Sequence, residues 1–176
     1  KVTVKALPAA PTASGQTICA GSTATLTASG AADAFEWYAD AVGGTALFTG
    51  ESYKTDNLTA TTTFYVQAVK DGCASATRTA VPVKVEQPIA NNAIGQEQVI
   101  CAGAIPSALT GSTPTDGSGN YTYTWLWSTD NVTFTAAPGA NAGTDYAPPA
   151  LAESTYFKRV VTSGVCQQSE SNVILV

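Results

Sequence analysis

Short runs of alternating apolar and polar residues, separated by Gly, Pro, Asn and Asp, recur along the whole chain. In residues 23–29, threonines alternate with Ala24, Leu26 and Ala28, so the three apolar side chains share one face of a strand. Similar strands are predicted at residues 34–40, 61–70 and 77–85. No segment of helical length places its apolar residues at helical spacing. The sequence therefore predicts an all-β fold.

One ordered set of landmarks occurs twice. Each copy has an Ile-Cys-Ala-Gly tetrapeptide, a tryptophan, a Gly-x-x-Tyr-x-x-x-x-Leu run, an aromatic pair and a second cysteine. Such a shared order is improbable in unrelated segments, and it predicts two tandem domains, residues 1–87 and 88–176. The landmarks of the first copy are Ile18 to Gly21, Trp37, Gly50, Tyr53, Leu58, Phe64-Tyr65 and Cys73; those of the second are Ile100 to Gly103, Trp125, Gly143, Tyr146, Leu151, Tyr156-Phe157 and Cys166.

The four cysteines, two in each copy, predict one disulfide per domain. Domains of this size bury only about 60 to 65% of their unfolded surface, so a cross-link adds much to their stability. We expect Cys19 to bond Cys73 and Cys101 to bond Cys166, each bridge joining two facing strands at one end of a sandwich. A metal site is disfavoured, because the chain has no histidine and no Cys-x-x-Cys spacing. Disulfides imply an exported location.

The strand count, the central tryptophan and the cysteine spacing fit an immunoglobulin-like β-sandwich. Both cysteines lie at predicted strand ends, whereas antibody domains place their bridge in the core beside the tryptophan. Another Greek-key sandwich is the alternative. At the start of the chain, Val2-x-Val4 followed by Pro8 resembles residues 83–88, which close the first copy. We therefore expect the chain to begin on the last strand of a preceding repeat, within a longer array.

Composition excludes several classes of function. The net charge is −5 and only 12% of residues are charged, with scattered lysines and arginines, so nucleic-acid binding is not expected. No apolar run approaches the roughly 18 residues of a membrane span, so direct membrane insertion is not expected either. The absence of histidine removes Ser-His and Cys-His pairs. No catalytic residues, cofactor or metal are predicted, and Asp116, Asp130 and Asp145 form no calcium-loop pattern.

The copies differ most in one region of the second domain. There Tyr121, Tyr123, Trp125 and Trp127 alternate along a predicted strand that follows the loop from Asp116 to Asn120. Tyr123 and Trp125 align with apolar residues of the first copy, so we expect them to be buried. Tyr121 and Trp127 have no aromatic counterpart. With Asp116 and Asn120 they are the candidate ligand-binding residues, and aromatic rings of this kind stack on sugars.

Three phrases of the second copy, residues 101–110, 121–130 and 154–166, and two of the first, residues 18–21 and 64–69, resemble a known repeat. They are similar to the immunoglobulin-like repeats of large Bacteroidetes cell-surface proteins, including SprB-type gliding-motility adhesins. The resemblance implies type IX secretion, display on the cell surface and service as non-catalytic stalk or adhesive modules. The implied partners are neighbouring repeats of the same long chain and a surface polysaccharide or other adhesive target. The alternative function is a carbohydrate-binding accessory module of an adhesin or of a secreted polysaccharide-degrading enzyme.

Overall fold

A computed structural model describes residues 3–176, and in that part of the chain every regular element is a β-strand. The chain forms two compact units, the first ending at Glu86 and the second beginning at Gln87. The boundary expected from the repeat, after residue 87, lies one residue further along. None of the described residues forms a helix that could span a membrane.

The first unit contains nine strands in two sheets. One sheet has the order β1-β3-β6, and the other has the order β2-β9-β7-β4-β5, with β8 paired to β7 as a hairpin. All the pairings are antiparallel except β2 with β9, which run parallel. The strands are β1 (Thr12–Ala13), β2 (Gln16–Cys19), β3 (Thr25–Ser29), β4 (Ala34–Tyr38), β5 (Phe48–Thr49), β6 (Ser52–Lys54), β7 (Thr62–Lys70), β8 (Cys73–Ala74) and β9 (Thr79–Glu86).

The core of the first unit follows the alternation in the sequence. In β3, Leu26 and Ala28 are buried between exposed residues, as the threonine alternation predicts. In β9, Val81 and Val83 are fully buried, and Val85 packs against the same cluster. These side chains surround a fully buried tryptophan on β4. Burial of one such aliphatic side chain contributes about 1.5 to 3 kcal/mol.

The second unit has a less regular second layer. Its main sheet has the order β13-β12-β14-β15, with β16 also paired to β14, whereas the other layer has only the two-stranded pair β10-β11. One isolated bridge joins Leu109 to Tyr146. The strands are β10 (Ile94–Gly95), β11 (Thr110–Gly111), β12 (Thr122–Ser128), β13 (Thr135–Ala136), β14 (Tyr156–Thr162), β15 (Ser169–Glu170) and β16 (Ile174–Leu175). The all-β fold class is thus confirmed.

The expected disulfide Cys19–Cys73 is wrong. Cys19 is disulfide-bonded but Cys73 is a free thiol. Cys19 lies beside Glu86, at the end of the sheet where β7 starts, whereas Cys73 pairs with Lys70, where β7 ends. The nine residues of β7 span about 26 Å, and a disulfide requires Cα atoms within about 7 Å. Because β2 runs parallel to β9, its cysteine lies at the opposite end of the domain from Cys73.

The expected disulfide Cys101–Cys166 is wrong for the same reason. Cys166 is disulfide-bonded, whereas Cys101 is a free thiol. Cys101 lines a groove with Ser154, just before β14 begins. Cys166 lies after the other end of β14, in the turn that leads to β15. The prediction of one disulfide inside each domain therefore fails in both copies.

The expectation of an initial strand at Val2 to Val4 falls partly outside the described residues, because Val2 is not among them. Val4 is 90% exposed and belongs to no strand. The first strand of the described chain is β1, which starts at Thr12.

Candidate functional site

The central tryptophan of the first unit is held by the other landmarks of the repeat. Trp37 Nε1 donates a hydrogen bond to the carbonyl oxygen of Gly50 at 2.9 Å. The ring of Tyr53 lies 5.8 Å from that of Trp37 and 5.5 Å from that of Phe64, centroid to centroid. Aromatic pairs at these distances add about 0.5 to 1.5 kcal/mol beyond their burial. Burial, and secondarily the nearby Asp56 carboxylate, raises the pKa of Tyr53.

The second unit repeats this arrangement. Trp125 Nε1 donates to the carbonyl oxygen of Gly143 at 3.0 Å, and the ring of Tyr146 lies 5.7 Å from Trp125 and 5.9 Å from Phe157. Burial raises the pKa of Tyr146. Phe157 is therefore the structural counterpart of Phe64. The alignment inferred from sequence, which matched Phe64 with Tyr156, is off by one residue.

The Ile-Cys-Ala-Gly tetrapeptide also has a structural part in each unit. Gly21 has φ of 81°, a left-handed conformation that glycine adopts at little cost, and its N–H donates to the carbonyl oxygen of Leu58 at 2.8 Å. Gly103, with φ of 83°, donates in the same way to Leu151 at 2.6 Å. In each copy, the glycine that accepts from the tryptophan is followed at the same spacing by the leucine that accepts from the cysteine turn. This segment therefore connects the tryptophan to that turn. The doubled motif is a structural frame.

One charged residue in the core of the second unit was missed by the sequence analysis. Arg159 on β14 has no exposed surface. Its Nε and Nη2 donate to Asn92 Oδ1 at 3.1 and 2.9 Å, Nη1 donates to Thr144 O at 2.9 Å, and Nη2 donates to Ser112 O at 2.8 Å. The guanidinium also lies 5.2 Å from the ring centroid of Tyr123. Desolvation by burial lowers the pKa of Arg159, while Tyr123 and the nearby Asp145 oppose the shift.

A signal for Arg159 was present in the sequence. β14 alternates, and Arg159 has the same parity as Phe157 and Val161, which are both fully buried. Arg159 faces Trp125 across the β12–β14 pair, just as Val66 faces Trp37 in the first unit. A core valine of one copy is thus replaced by an arginine in the other. The sequence interpretation treated the lysines and arginines as scattered charges, and it therefore did not identify Arg159 as a core residue.

The structure brings together some of the candidate ligand-binding residues. The hydroxyl of Tyr121 donates to the backbone oxygen of Asp116 at 2.7 Å, which holds the loop against the start of the strand. Asp116 and Asn120 are exposed, and Tyr121 is half-buried. Asp116 has φ of 66°, a left-handed conformation that Asp adopts more readily than most residues. These three residues lie at one end of the second unit.

Trp127 lies away from that group. It is six residues beyond Tyr121 in sequence, and along β12 this corresponds to roughly 20 Å. Trp127 is half-buried and packs against the core, and Trp125 is fully buried. The burial expected for Trp125 is confirmed, whereas Tyr123 is only half-buried, against Arg159. A ligand-binding role for Tyr121, Trp127, Asp116 and Asn120 stays a prediction.

Two loop aspartates of the second unit, Asp130 and Asp145, accept hydrogen bonds from backbone N–H groups. Asp130 Oδ1 accepts hydrogen bonds from the Ser128 hydroxyl and from the N–H groups of Val132 and Thr133. These bonds, that from Ser128 foremost, hold the pKa of Asp130 well below its usual range. Asp145 Oδ1 accepts from the N–H of Gly111. In residues 3–176, no three His, Cys, Asp or Glu side chains are grouped closely enough to hold a metal ion.

The first unit has one cluster of polar side chains with a shared contact. Arg78 lies over the ring of Tyr38, 3.2 Å from its centroid, and Nη1 of Arg78 donates to the carbonyl oxygens of Asp40 and Gly43. The hydroxyl of Tyr38 donates to Glu36 at 2.6 Å, and desolvation and this carboxylate raise the pKa of Tyr38. The arginine thereby fixes the loop that follows β4. Only Arg78 bonds the loop directly, and Tyr38, which is bonded to Glu36, lies beneath the guanidinium.

A groove of about 670 Å³ lies in the second unit, beside the turn that carries Cys101. Cys101 is exposed, and the neighbouring Val99 is fully exposed. The groove lining includes two carboxylates but no basic side chain, and the other residues are mainly apolar or small: Glu97, Gln98, Val99, Ile100, Cys101, Ala102, Leu151, Ala152, Glu153, Ser154, Leu175 and Val176. Its only reactive group is the Cys101 thiol.

Comparison with known proteins gives a family match for each unit. Residues 8–86 match the family model described as an Ig-like domain, CHU_C associated. Residues 90–176 match a model described as a domain of unknown function. No curated protein matches the chain. The first match supports an Ig-like repeat family.

Solved structures with a similar fold come from unrelated sources. Domains A168–A170 of titin are 13% identical, with a TM-score of 0.54; the match covers 92% of this chain and 61% of the titin segment. Fibronectin(III)-like modules of Clostridium thermocellum CbhA are 14% identical, with a TM-score of 0.46, covering 94% and 93% of the two chains. At such low identity the titin likeness shows the fold alone, and with the family match of residues 8–86 it confirms the immunoglobulin-like fold class.

Proposed function

Because residues 8–86 match an Ig-like family model and both units are all-β, we propose that the chain consists of non-catalytic repeat modules of a large bacterial cell-surface adhesin. They act there as stalk or adhesive units, in surface adhesion or gliding motility. One observation carries the proposal: each tryptophan, glycine, tyrosine and leucine of the doubled motif has a hydrogen-bond or ring contact that builds the domain. What the two copies share is therefore scaffold. The disulfide-bonded state of Cys19 and Cys166 supports an oxidising, extracellular location.

The first unit has a strand arrangement that suits a stalk. β2, near the start of the unit, runs parallel to β9, which ends it, with Gln16 opposite Val83 and Cys19 opposite Glu86. Tension on the chain pulls β2 and β9 in opposite directions along their own axes. The hydrogen bonds between the two strands are then loaded together, since they lie across the direction of pull. Such a pair resists tension better than one opened from its end.

A single glycine provides a test of this arrangement. A Cβ at Gly15 would lie 2.2 Å from the carbonyl oxygen of Pro82. This distance is too short for two non-bonded atoms, so the backbone at one of the two residues would have to move. Gly15→Ala therefore displaces the start of β2 from β9. The matched control is Gly95→Ala in the second unit, where the nearest atom, Oγ1 of Thr110, would lie at an ordinary 3.6 Å.

The measurement is single-molecule stretching of the full chain between inert handle domains, with reductant present so that the disulfide bonds of Cys19 and Cys166 are open and the whole chain can extend. Two unfolding steps are expected, each releasing roughly 300 Å of chain at about 3.6 Å per residue. Gly15→Ala should lower the force of one step and leave the other unchanged, and Gly95→Ala should alter neither. Equal forces in wild type and Gly15→Ala would remove the mechanical argument for a stalk.

Location is tested separately. An antibody raised against the purified chain should label intact cells of the source organism as strongly as permeabilised cells. Labelling that requires permeabilisation would contradict surface display. Purified chain added in excess should inhibit cell attachment if these modules themselves bind the target, and should have no effect if they are stalk units.

A further inference from the structure

Two asparagines fasten the first segment of the second unit to the segment that leads into β16. Asn92 Nδ2 donates a hydrogen bond to the carbonyl oxygen of Ser169 at 2.8 Å. Asn172 Oδ1 accepts from the N–H of Ile94 at 2.8 Å, and Asn172 Nδ2 donates to the carbonyl oxygen of Ile94 at 2.9 Å. An amide side chain carries the same donor and acceptor as a peptide group, so Asn172 bonds β10 as one residue of a neighbouring strand would.

The Asn92 side chain is itself held in place. Its Oδ1 accepts from Nε and Nη2 of the fully buried Arg159 at 3.1 and 2.9 Å, while its Nδ2 bonds Ser169. Asn92 is half-buried, and hydrogen bonds from a charged donor are about twice as strong as neutral ones. The amide therefore has a fixed orientation, and its bond to Ser169 does not depend on a freely rotating side chain.

The first unit is fastened at the same place by a hydroxyl. Ile94 corresponds to Thr12, because the two residues pair with β11 and with its counterpart β3. Asn172 corresponds to Thr79, because each lies two residues before the strand partner of the central phenylalanine. Thr79 Oγ1 donates to the carbonyl oxygen of Pro11 at 2.5 Å. Both copies therefore tie their first segment to their last one through side chains, and the second copy uses two amides in place of one hydroxyl.

The two fastened segments of the second unit run in the same direction. Asn92 meets Ser169, and two residues later Ile94 meets Asn172, so residue numbers rise together along both segments. The first segment begins the unit, at Gln87, and the second leads into β16. Tension applied through the two ends of the unit pulls these segments in opposite directions along their axes. The bonds of both amides are then loaded together.

We propose that Asn92 and Asn172 form a latch that carries tension across the second unit and limits the rate at which the unit unfolds under load. The latch acts against a pull along the chain, because it joins the segment through which tension enters to the segment through which tension leaves. This inference deepens the proposed stalk role, on which it rests. Its test uses purified protein and needs neither cells nor the β2–β9 contact of the first unit, so the failure of one proposal is distinguishable from the failure of the other.

The test holds the full chain at constant force between inert handle domains, with reductant present. A short Gly-Ser insertion after Thr45, in an exposed loop of the first unit, lengthens the unfolding step of that unit and so identifies the step of the second. Asn172→Asp keeps the acceptor for the N–H of Ile94 but removes the donor. The second unit should then unfold about tenfold faster, as expected for one lost hydrogen bond, and Asn172→Ala, which removes both bonds, should have a larger effect.

The matched control is Asn131→Asp, which makes the same chemical change at an exposed residue after β12 and should leave the rate unchanged. Circular dichroism checks that each variant keeps the wild-type secondary structure before it is stretched.

A second direction of pull separates a latch from a general contribution to stability. Handles attached at Asn120 and Val132, two exposed residues that flank β12, load neither segment of the latch. In that geometry wild type and Asn172→Asp should unfold at the same rate. Equal acceleration in both directions would mean that Asn172 contributes only stability, and an unchanged rate in the end-to-end pull would mean that the amides carry no tension. Either result would overturn the proposal.

Discussion

Replacement of Arg159 by methionine tests whether the buried guanidinium stabilises the second unit. Methionine keeps an unbranched apolar stem of similar length but removes all the donors of the side chain. Three acceptors then lose their hydrogen bonds from the guanidinium: Asn92 Oδ1, Thr144 O and Ser112 O. Two of these are main-chain carbonyls that no further side-chain substitution can remove.

The expected cost follows from these acceptors. Each lost hydrogen bond to the charged guanidinium costs about 1.5 to 3 kcal/mol, and burying the guanidinium itself carries a desolvation penalty that methionine avoids. Three acceptors, less part of that penalty, give a loss of about 3 to 5 kcal/mol, which is the range for breaking a buried charged network. A loss of this size is a large fraction of the 5 to 15 kcal/mol typical of a domain.

The assay is urea unfolding of the full chain, with hydrogen exchange measured by mass spectrometry to assign the effect to residues 87–176. The matched control is Lys54→Met, which removes one positive charge from an exposed side chain of the first unit and should change stability by less than about 0.5 kcal/mol. An Arg159→Met protein as stable as wild type would refute the reasoning, because the carbonyls would then have found other donors at no cost.

Three further predictions concern the second unit. Gly111→Ala should destabilise it by about 2 to 3 kcal/mol in thermal unfolding, because the new Cβ would lie 1.9 Å from Arg159 Nη1; a cost as small as that of Gly95→Ala would contradict the close approach. Asp130→Asn should weaken the acid sensitivity of the melting temperature. The folded-state pKa of Asp130 lies below its unfolded value near 3.9, so its contribution is present above about pH 4 and is lost as pH falls further; an unchanged pH dependence would exclude this group. On a glycan panel, wild type and Trp127→Ala should both fail to bind, because Trp127 packs against the core; binding by wild type alone would favour a carbohydrate-binding module.

The sequence was a good guide wherever local pattern determines structure. The two aligned sets of Trp, Gly, Tyr and Leu predicted the frame of both units, because each residue meets a partner at a fixed offset in the repeat. The cysteine pairs could not be predicted in that way. Whether Cys19 meets Cys73 depends on the direction of β2 relative to β9, and strand direction is a property of the whole sheet. One residue of misalignment at Phe157 likewise concealed that Arg159 stands at a core position.

The difference between Val66 and Arg159 has a cause in the layer that faces them. In the first unit that layer is a three-stranded sheet in which β3 pairs with both neighbours, so its backbone groups bond one another. In the second unit the facing layer has only the short pair β10–β11, and Arg159 supplies donors to the carbonyls of Ser112 and Thr144 in that layer. A backbone carbonyl that is not paired with a neighbouring strand needs another donor, and in the second unit the core arginine is that donor. In the first unit, hydrogen bonds between neighbouring strands hold this layer together. In the second unit, hydrogen bonds from the Arg159 side chain take that role at Ser112 and Thr144.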